Sequence, residues 1–357
     1  MQNLLPTQFR RTKIVYNDMR KVVFLLFFFL IVNKYDRIQL IGEIFMKRCV
    51  VIYNPVSGKK IKIKFLDEYK KILFNKGYDS EIIYTEYRGH ATSIVKNLDD
   101  NVNLVISIGG DGTFNEVMTG NFLRKKKLLL SHLPTGTTND LCKMLGYGKN
   151  IIDNLKMTLD GEVKGLDICT INGRPFVYVA GFGKFTDIAY ETSRKNKEKF
   201  GYFAYLTEGI KSFFNKTKLY DITYEIDGNV YRGLFSFVII SSANRISGIN
   251  NFYKDVKLDD DKFEVLFCNI TRKKDIAKIL YFLTMYDVSK VPGIYFYRTN
   301  NLKIKFDNIP KKSWCIDGEE LKMSSSKYNI NIINDVKMLI PSKNISKLFI
   351  NYEKNNN

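Results

Sequence analysis

Three glycine-containing segments of the chain combine small residues, hydroxyl groups and carboxylates in a pattern that suits phosphate binding. They are Asn54–Gly58 (NPVSG), Gly109–Glu116 (GGDGTFNE) and Pro134–Asp140 (PTGTTND). Glycine permits positive φ angles and close approach of a ligand to the backbone, and unpaired N–H groups at the start of a following helix can hold a phosphate. A single segment of this kind is an ordinary turn more often than not. Three of them indicate a phosphate site if the fold brings them to one place.

An acid in the second segment predicts a divalent cation. An ionised Asp111 would repel triphosphate oxygens unless a cation bridges the two, so Asp111 implies Mg²⁺. Asp140 and Asp167 are further acids of this part of the chain. For each aspartate taken singly, the alternative is helix capping or a turn hydrogen bond, because aspartate is favoured in both places.

The elements around these segments predict a parallel sheet. Four short apolar runs are typical of buried strands: 49–53, 81–85, 104–108 and 127–133. Segments with helical periodicity lie between and after them: 61–77, 90–98, 114–122 and 138–145. Alternating strands and helices form a parallel sheet covered by helices, and ligands bind beyond the carboxyl ends of its strands. All three glycine-containing segments follow such ends, so we expect them on one edge.

After about residue 165 the sequence becomes rich in short β segments, separated by turn pairs such as Asn172-Gly173. Helical pieces are expected near 184–216 and 272–284. The predicted fold class is α/β, with an N-terminal parallel-sheet nucleotide-binding domain, 46–165, and a C-terminal, mainly antiparallel, β-sandwich-like domain, 166–357. The last residues of the second domain are expected to return to the first.

Composition narrows the class of protein. The chain has 357 residues, 45% hydrophobic and 14% aromatic, which argues against a disordered or collagen-like protein and favours two domains. Its five cysteines are widely spread without a CxxC pair, which disfavours a disulfide scaffold or structural zinc site and fits a reducing cytosol. The net charge of +19 predicts an anionic partner: nucleic acid, acidic lipid or nucleotide phosphates. Lysine is scattered and no nucleic-acid motif is present, so nucleic acid is not expected.

Residues 1–45 are expected to lie outside the fold. Val22–Val32 is an apolar run of eleven residues, whereas a membrane-spanning helix needs roughly 20. No small-residue cleavage site follows the run, so it is not typical of a signal peptide. Met46 begins a segment that reads as an ordinary start. We interpret residues 1–45 as an upstream extension, either a mis-assigned start or a weak interfacial anchor.

Four segments in this order resemble the bacterial soluble diacylglycerol kinase family, which is related to sphingosine and ceramide kinases. They are Asn54–Gly58, Gly109–Val117, Pro134–Asp140 followed by Leu145-Gly146, and Asp317–Glu319. The GGDGT element alone is shared with NAD kinases and phosphofructokinase-like enzymes. Gly136–Asp140 resembles the lipid kinases and not the NAD kinases. The resemblance covers residues 46–357.

The resemblance implies an ATP- and Mg²⁺-dependent kinase that phosphorylates a membrane lipid hydroxyl, with diacylglycerol as the default acceptor and phosphatidic acid as the product. It implies a nucleotide site made of Asn54, Pro55, Ser57, Gly58, Thr85, Gly109, Gly110, Asp111, Gly112, Thr113, Asn115, Thr137 and Asp140. Asp111, Asp140 and Asp167 would hold the catalytic Mg²⁺ through water. Asp317 or Glu319 would be the general base, and in an extended segment the two would share one face. The alternative for Asp-Gly-Glu is a plain hairpin turn.

The resemblance also implies a second, structural Mg²⁺ site in the β-rich domain. Asp260 would bind the ion by its side chain, and Lys257 and Lys262 by their backbone carbonyls. Asp261 stands where the family has glycine. Because aspartate tolerates the left-handed conformation better than most residues, we expect the turn to persist.

Lysines and aromatic residues alternate along 195–218, which fits an interfacial segment on an anionic membrane. The alternative is a helix that packs its aromatic side chains into the core. The expected location is cytoplasmic and peripheral to the membrane, and the family includes homodimers. Three other functions remain open: a kinase of phosphatidylglycerol or a sphingoid base, a kinase of NAD or a sugar phosphate, and a catalytically weak lipid-binding regulator.

Overall fold

The structure is a computed structural model that describes residues 46–58, 63–136, 139–184, 217–243, 245, 253, 256–272 and 291–350. Several sequence predictions lie outside these residues: the extension 1–45, nearly all of the helical pieces and of the lysine and aromatic stretch, and Thr137. In the part of the chain that is described, no helix is both long and apolar enough to cross a membrane.

The N-terminal half alternates strands and helices as predicted. Its strands are β1 (Lys47–Tyr53), β2 (Tyr78–Tyr84), β3 (Leu104–Gly109) and β4 (Leu130–Pro134). Its helices are α1 (Ile63–Asn75), α2 (His90–Asn97), α3 (Asp111–Phe122), α4 (Asp140–Met144) and α5 (Ile151–Leu159). The four strands pair in parallel in the order β2-β1-β3-β4. All residues of β3 are buried, as expected for a strand that lies between two others in a parallel sheet.

The C-terminal half is β-rich, as predicted. Its strands are β5 (Glu162–Ile171), β6 (Arg174–Phe176), β7 (Val179–Gly183), β8 (Tyr220–Ile226), β9 (Asn229–Phe235), β10 (Phe237–Ser241), β11 (Phe263–Cys268), β12 (Ile294–Thr299), β13 (Asn301–Phe306), β14 (Trp314–Ile316), β15 (Glu319–Leu321) and β16 (Lys327–Ile340). A short helix, α6 (Ile345–Leu348), follows them. Within the described residues, six of these strands form one antiparallel sheet, in the order β12-β11-β10-β7-β14-β15. The predicted combination of a parallel and an antiparallel sheet is confirmed.

The sheet that contains the parallel strands has more strands than the sequence predicted, because strands from the C-terminal half are added to it. β16 lies beside β4, with Met338 opposite Leu130, and the sheet continues through β13, β8 and β9. β16 also pairs along its length with β5. One end of β16 therefore belongs to the β-rich half, and Met338–Ile340 at its other end are buried in the N-terminal core.

Two hydrophobic cores meet within β5. Leu166 and Ile168 join the core beneath the parallel sheet, whereas Cys169 and Ile171 join the core around Trp314. The predicted boundary at residue 165 falls inside this strand. Because β5 and β16 are shared by both cores, they set the position of the β-rich half relative to the parallel sheet.

Candidate active site

The three glycine-containing segments contact one another at the carboxyl ends of β1, β3 and β4. Gly58 has a φ of 54°, and a Cβ atom there would lie 1.8 Å from the carbonyl oxygen of Thr135. A Cβ atom on Gly136 would lie 2.7 Å from the Cα atom of Gly110. The backbones approach so closely that only glycine fits, and the predicted meeting of the three segments is confirmed.

Asn54 joins the first segment to helix α3. Its backbone N–H donates to the carbonyl of Ile108, which continues the pairing of β1 with β3 beyond the end of β1. Its side-chain amide donates to the hydroxyl of Thr113 at 2.9 Å, and its side-chain oxygen accepts from the N–H of Val56 at 3.1 Å. The asparagine thus fixes the loop that was predicted to contact a nucleotide.

A cavity of about 440 Å³ opens over these segments. Its lining residues are Asn54, Val56, Ser57, Thr85, Glu86, Tyr87, Arg88, Gly110, Gly112, Thr113, Glu116 and Glu319. Six of the predicted nucleotide residues are in this set. Pro55, Gly58 and Gly109 belong to the same loops without lining the cavity, and the Asn115 side chain bonds instead to Asp317.

Sequence reasoning missed the loop 86–89 and the residue that holds it, Glu116. One carboxylate oxygen of Glu116 accepts from the N–H of Gly89 at 2.8 Å, and the other accepts from Ala91 at 3.3 Å. A glutamate on α3 thus satisfies N–H groups at the start of α2, which otherwise lack partners within their own helix. Glu116 lies in the GGDGTFNE segment, five residues after Asp111, but nothing in that local pattern indicates that it bonds to this loop.

Asp111 begins α3 at the inner side of the site. Burial raises its pKa to about 7, and the negative charges of Asp140 and Asp317 add to this increase. Hydrogen bonds from the backbone N–H groups of Asn139 and Asp140 oppose it. Asn139 adopts a left-handed conformation, with a φ of 49°, immediately before α4. Three acids predicted from separate segments are therefore grouped by the fold.

Asp140 is completely buried, and its Oδ1 accepts from Nε of Arg245 at 2.9 Å. This arginine offsets one of the three grouped negative charges. The remaining excess of negative charge around Asp111 and the hard oxygen donors suit Mg²⁺. Within the described residues, no three acid, thiol or imidazole groups surround a single point. Asp111 fits a cation that would take its other ligands from phosphate oxygens and water.

Asp317 occupies the turn between β14 and β15. It has a φ of 48° and is followed by Gly318 with a φ of 84°, as expected for a two-residue hairpin turn. Its carboxylate accepts four hydrogen bonds, from the side chain of Asn115 and from the N–H groups of Val177, Tyr178 and Val179. Burial raises the pKa of Asp317, and these four bonds oppose the increase.

Glu319 lies on the other side of that turn and lines the cavity. Its Oε2 accepts from Nη2 of Arg88 at 2.9 Å and lies 3.5 Å from Nη2 of Arg174. The face predicted to carry both acids does not exist, because Asp317 and Gly318 form a turn and not an extended segment. Asp317 is 5% exposed and faces inward, whereas the side chain of Glu319 is 29% exposed.

The structure places Asp167 in another cluster. Its Oδ2 accepts from the N–H of Asp261 at 2.6 Å. Burial raises its pKa to about 6, and Asp261, Asp260 and Asp259 add to the increase. It lines a second cavity, of about 500 Å³, with Asp259, Asp261 and Asp335. Its share in holding the catalytic Mg²⁺ therefore stays a prediction, and its direct neighbours belong to the predicted second metal loop.

In the loop of the predicted second metal site, Asp261 has a φ of 57°, so aspartate preserves the left-handed turn as expected. Oδ2 of Asp260 accepts from Nη2 of Arg298 at 2.5 Å. Its Oδ1 is buried and has no hydrogen-bond partner of good geometry among the described residues, although the backbone N–H of Lys262 lies close to the carboxylate. One carboxylate oxygen therefore fits a cation. The side chain of Lys257 donates to the carbonyl of Lys347 at 2.8 Å, which leaves the backbone oxygens of Lys257 and Lys262 as the predicted ligands.

Sequence comparison identifies relatives over most of the chain. A family model for the diacylglycerol kinase catalytic domain matches residues 48–171. A diacylglycerol kinase from Staphylococcus epidermidis is 30% identical over 274 residues, which are 76% of this chain and 86% of that protein. A diacylglycerol kinase from Staphylococcus aureus is 28% identical over 306 residues, covering 85% and 96% of the two chains.

Solved structures with a similar fold come from Bacillus anthracis. A crystal structure of a diacylglycerol kinase superposes with a TM-score of 0.64 at 22% identity and covers 82% of this chain and 97% of that one. A second chain from the same organism superposes with a TM-score of 0.71, also at 22% identity, and covers 83% and 96%. These likenesses extend the agreement in fold to both halves of the molecule.

Proposed function

Since this chain belongs to the diacylglycerol kinase family, we propose that it transfers the γ-phosphate of ATP, with Mg²⁺, to the free hydroxyl of diacylglycerol and so forms phosphatidic acid. One observation carries the proposal. Glu319, from the β-rich half, lines the same cavity as Gly110, Gly112 and Thr113 of the parallel-sheet half. A candidate base and a candidate phosphate site therefore face the same space.

The three glycine-containing segments are suited to hold the phosphates of ATP. Phosphoryl transfer depends mainly on alignment and charge neutralisation, which backbone N–H groups and a metal ion can supply. The start of α3 contributes N–H groups beside Gly110, and Ser57 and Thr113 add hydroxyls. Asn54 bonds to Thr113 and so keeps two of these segments in a fixed relation before the nucleotide arrives.

Asp111 is the residue that would hold the catalytic Mg²⁺. The ion would neutralise charge on the phosphate oxygens during transfer. Asp140 would assist in two ways. Its backbone N–H, at the start of α4, bonds to the Asp111 carboxylate, and its negative charge would attract the cation. The backbone of Asn139 supplies a second N–H to the same carboxylate. The site therefore orients one carboxylate for a cation without surrounding the ion with protein ligands.

Glu319 is the better candidate for the general base. A base must reach the proton of the acceptor hydroxyl, and Glu319 lines the open cavity. Both carboxylate oxygens of Asp317 accept hydrogen bonds from the protein, four in all, so they are less available to take the proton of an acceptor hydroxyl. We assign Asp317 the task of holding the hairpin that carries Glu319 against α3.

The acceptor lipid resides in a membrane, so we also propose a peripheral, reversible association with anionic lipid. The net charge of +19 supports this proposal, because anionic surfaces attract cationic proteins over distances of about a Debye length. Sedimentation of the protein with phosphatidylglycerol-containing vesicles should exceed sedimentation with neutral vesicles. Equal sedimentation with both would contradict this association.

The proposed function is tested by incubating the protein with γ-labelled ATP, Mg²⁺ and dispersed diacylglycerol. We expect labelled phosphatidic acid, and no label in lipid when Mg²⁺ is chelated. Label transfer that persists without a divalent cation would contradict the assignment of Asp111. Label found only in water-soluble products would contradict the lipid acceptor.

A further inference from the structure

One ion pair crosses the cavity and joins the two halves of the molecule. Arg88, in the loop between β2 and α2, donates to Oε2 of Glu319 at 2.9 Å. Arg88 is the one cationic side chain among the described residues that line the cavity, and three of the others are acids: Glu86, Glu116 and Glu319. A ligand that brings several phosphate charges into this cavity will therefore compete with Glu319 for the guanidinium of Arg88.

The Arg88–Glu319 pair is easily broken. The side chain of Arg88 is 72% exposed and that of Glu319 is 29% exposed. Ion pairs in contact with water contribute little, because the charges are screened and two flexible side chains lose freedom. Arg174 lies 3.5 Å from the same Glu319 oxygen, so the carboxylate keeps a cationic neighbour if Arg88 leaves.

The backbone that carries Arg88 is held firmly while its side chain is free to turn. Glu116 accepts from the N–H of Gly89, directly after Arg88. On the other side, the N–H of Glu86 donates to Nδ1 of His90 at 3.1 Å, and the ring of Tyr87 stacks on that histidine at 4.5 Å between centroids. The guanidinium can therefore change its partner without movement of the loop.

We propose that Arg88 exchanges partners when nucleotide binds: it pairs with Glu319 in the free protein and with phosphate oxygens in the complex. Guanidinium binds phosphate strongly because its planar donors can make two parallel hydrogen bonds. The exchange removes Arg88 from the carboxylate of Glu319, which keeps Arg174 as a neighbour, only once the phosphate donor is in place. This inference rests on the proposed function, and it adds a positioning residue that links nucleotide binding to the state of the base.

The first test measures binding, not turnover. The full chain is titrated calorimetrically with ATP, ADP and adenosine in the presence of Mg²⁺. Arg88→Gln should weaken ATP and ADP binding about tenfold or more, as expected for a lost hydrogen bond to a charged group, and leave adenosine binding unchanged. Arg48→Gln is a matched control, because Arg48 makes a surface ion pair with Asp99 at 2.8 Å, near the opposite ends of the strands. Equal ATP affinity of Arg88→Gln and the unaltered protein would overturn the proposal.

The second test detects the exchange itself. If nucleotide binding breaks the Arg88–Glu319 pair, Arg88→Gln must cost more ATP affinity in a Glu319→Gln background, by roughly two- to fivefold, since exposed pairs contribute up to about 1 kcal/mol. Equal costs in both backgrounds would mean that the pair persists in the complex and would refute the exchange.

Arg88→Lys is a second variant that keeps the positive charge, so that loss of folding can be told from loss of the contact. It should retain part of the ATP affinity and have the same melting temperature as the unaltered protein. A result in which Arg88→Lys binds ATP no better than Arg88→Gln would count against a phosphate contact. Failure of the proposed function has a different signature: the unaltered chain would bind ATP no better than adenosine, irrespective of residue 88.

Discussion

The side-chain amide of Asn115 donates to Oδ2 of Asp317 across 2.7 Å, and both residues are buried. These residues are 202 positions apart. Asn115 lies on α3, which begins at the candidate phosphate site, and Asp317 lies in the hairpin that carries Glu319. This hydrogen bond therefore fixes the distance between the candidate phosphate site and the candidate base.

Replacing Asn115 should separate these two parts of the site. In Asn115→Ala a buried carboxylate loses one donor, so we expect the free energy of unfolding to fall by about 1–3 kcal/mol. Turnover should fall as well, because the hairpin is no longer held against α3. Chemical denaturation and transfer assays measure the two effects. Asn97→Ala is the control, since Asn97 makes an exposed bond within α2. Equal losses of stability in both variants would contradict this role of Asn115.

The two acids of the hairpin should fail in different ways. Glu319→Gln should lower kcat by about 10²–10⁴, the usual contribution of a general base, while the free energy of unfolding changes by no more than about 1 kcal/mol, the contribution of an exposed ion pair. Asp317→Asn introduces an NH₂ group opposite N–H donors, so it should lose about 1–3 kcal/mol of stability and activity along with it. Thermal melting and initial rates separate the two outcomes. A stable, inactive Asp317→Asn together with an active Glu319→Gln would reverse our assignment.

Gly58 tests the close approach of the first and third segments. Gly58→Ala would place a Cβ atom 1.8 Å from a backbone oxygen, which cannot be accommodated unless one loop moves. We expect ATP affinity to drop at least tenfold. Gly77→Ala is the matched control, because Gly77 also has a positive φ but its new Cβ atom would have no other atom within 4 Å. That variant should lose only about 1–2 kcal/mol of stability, the cost of a left-handed alanine. Similar ATP affinities of the two variants would show that the loops do not need this contact.

His132 predicts a dependence of stability on pH. It is buried beneath the sheet, stacked on Phe114, with Nδ1 2.8 Å from the hydroxyl of Ser107. Burial lowers its pKa from 6.5 to about 4. Between these values the unfolded chain binds a proton that the folded chain does not, so stability falls as the pH decreases from about 6.5 to 4.

The size of this effect is about 3 kcal/mol, from 1.36 kcal/mol for each unit of pKa. Urea titrations at pH 7 and pH 5 should record about 2 kcal/mol of it, because pH 5 lies only part of the way from 6.5 to 4. His132→Asn should remove this part of the slope. If His132→Asn shows the same loss of stability between the two pH values as the unaltered protein, the assignment to His132 is wrong.

The meeting of the three glycine-containing segments could be predicted from the sequence. Glycines such as Gly58 and Gly110 are required by backbone geometry, and they follow strands whose periodicity was clear. A parallel sheet brings the carboxyl ends of its strands to one edge, so the meeting of these segments follows from topology alone. The residues were therefore predictable before any side-chain contact was known.

The other side of the cavity was harder to predict, because it depends on contacts between distant residues. Arg88 reaches Glu319 only because β16 returns to β4 and attaches the β-rich half to the parallel sheet. Nothing in the local pattern around Arg88 or Glu116 indicates those partners. Asp167 is a similar case: the family resemblance implied a share in the catalytic Mg²⁺ site, and the structure shows β5 carrying it to the loop around Asp261.

The proposed reaction of the cavity is the transfer of phosphate from ATP to diacylglycerol. The most direct measurement incubates the purified chain with γ-labelled ATP, Mg²⁺ and, in parallel, diacylglycerol, phosphatidylglycerol, a sphingoid base and NAD. We expect rapid labelling of diacylglycerol as phosphatidic acid, and near-complete loss of this labelling in Glu319→Gln. Labelling of NAD or of another lipid in preference to diacylglycerol, or equal labelling by Glu319→Gln, would contradict the proposal.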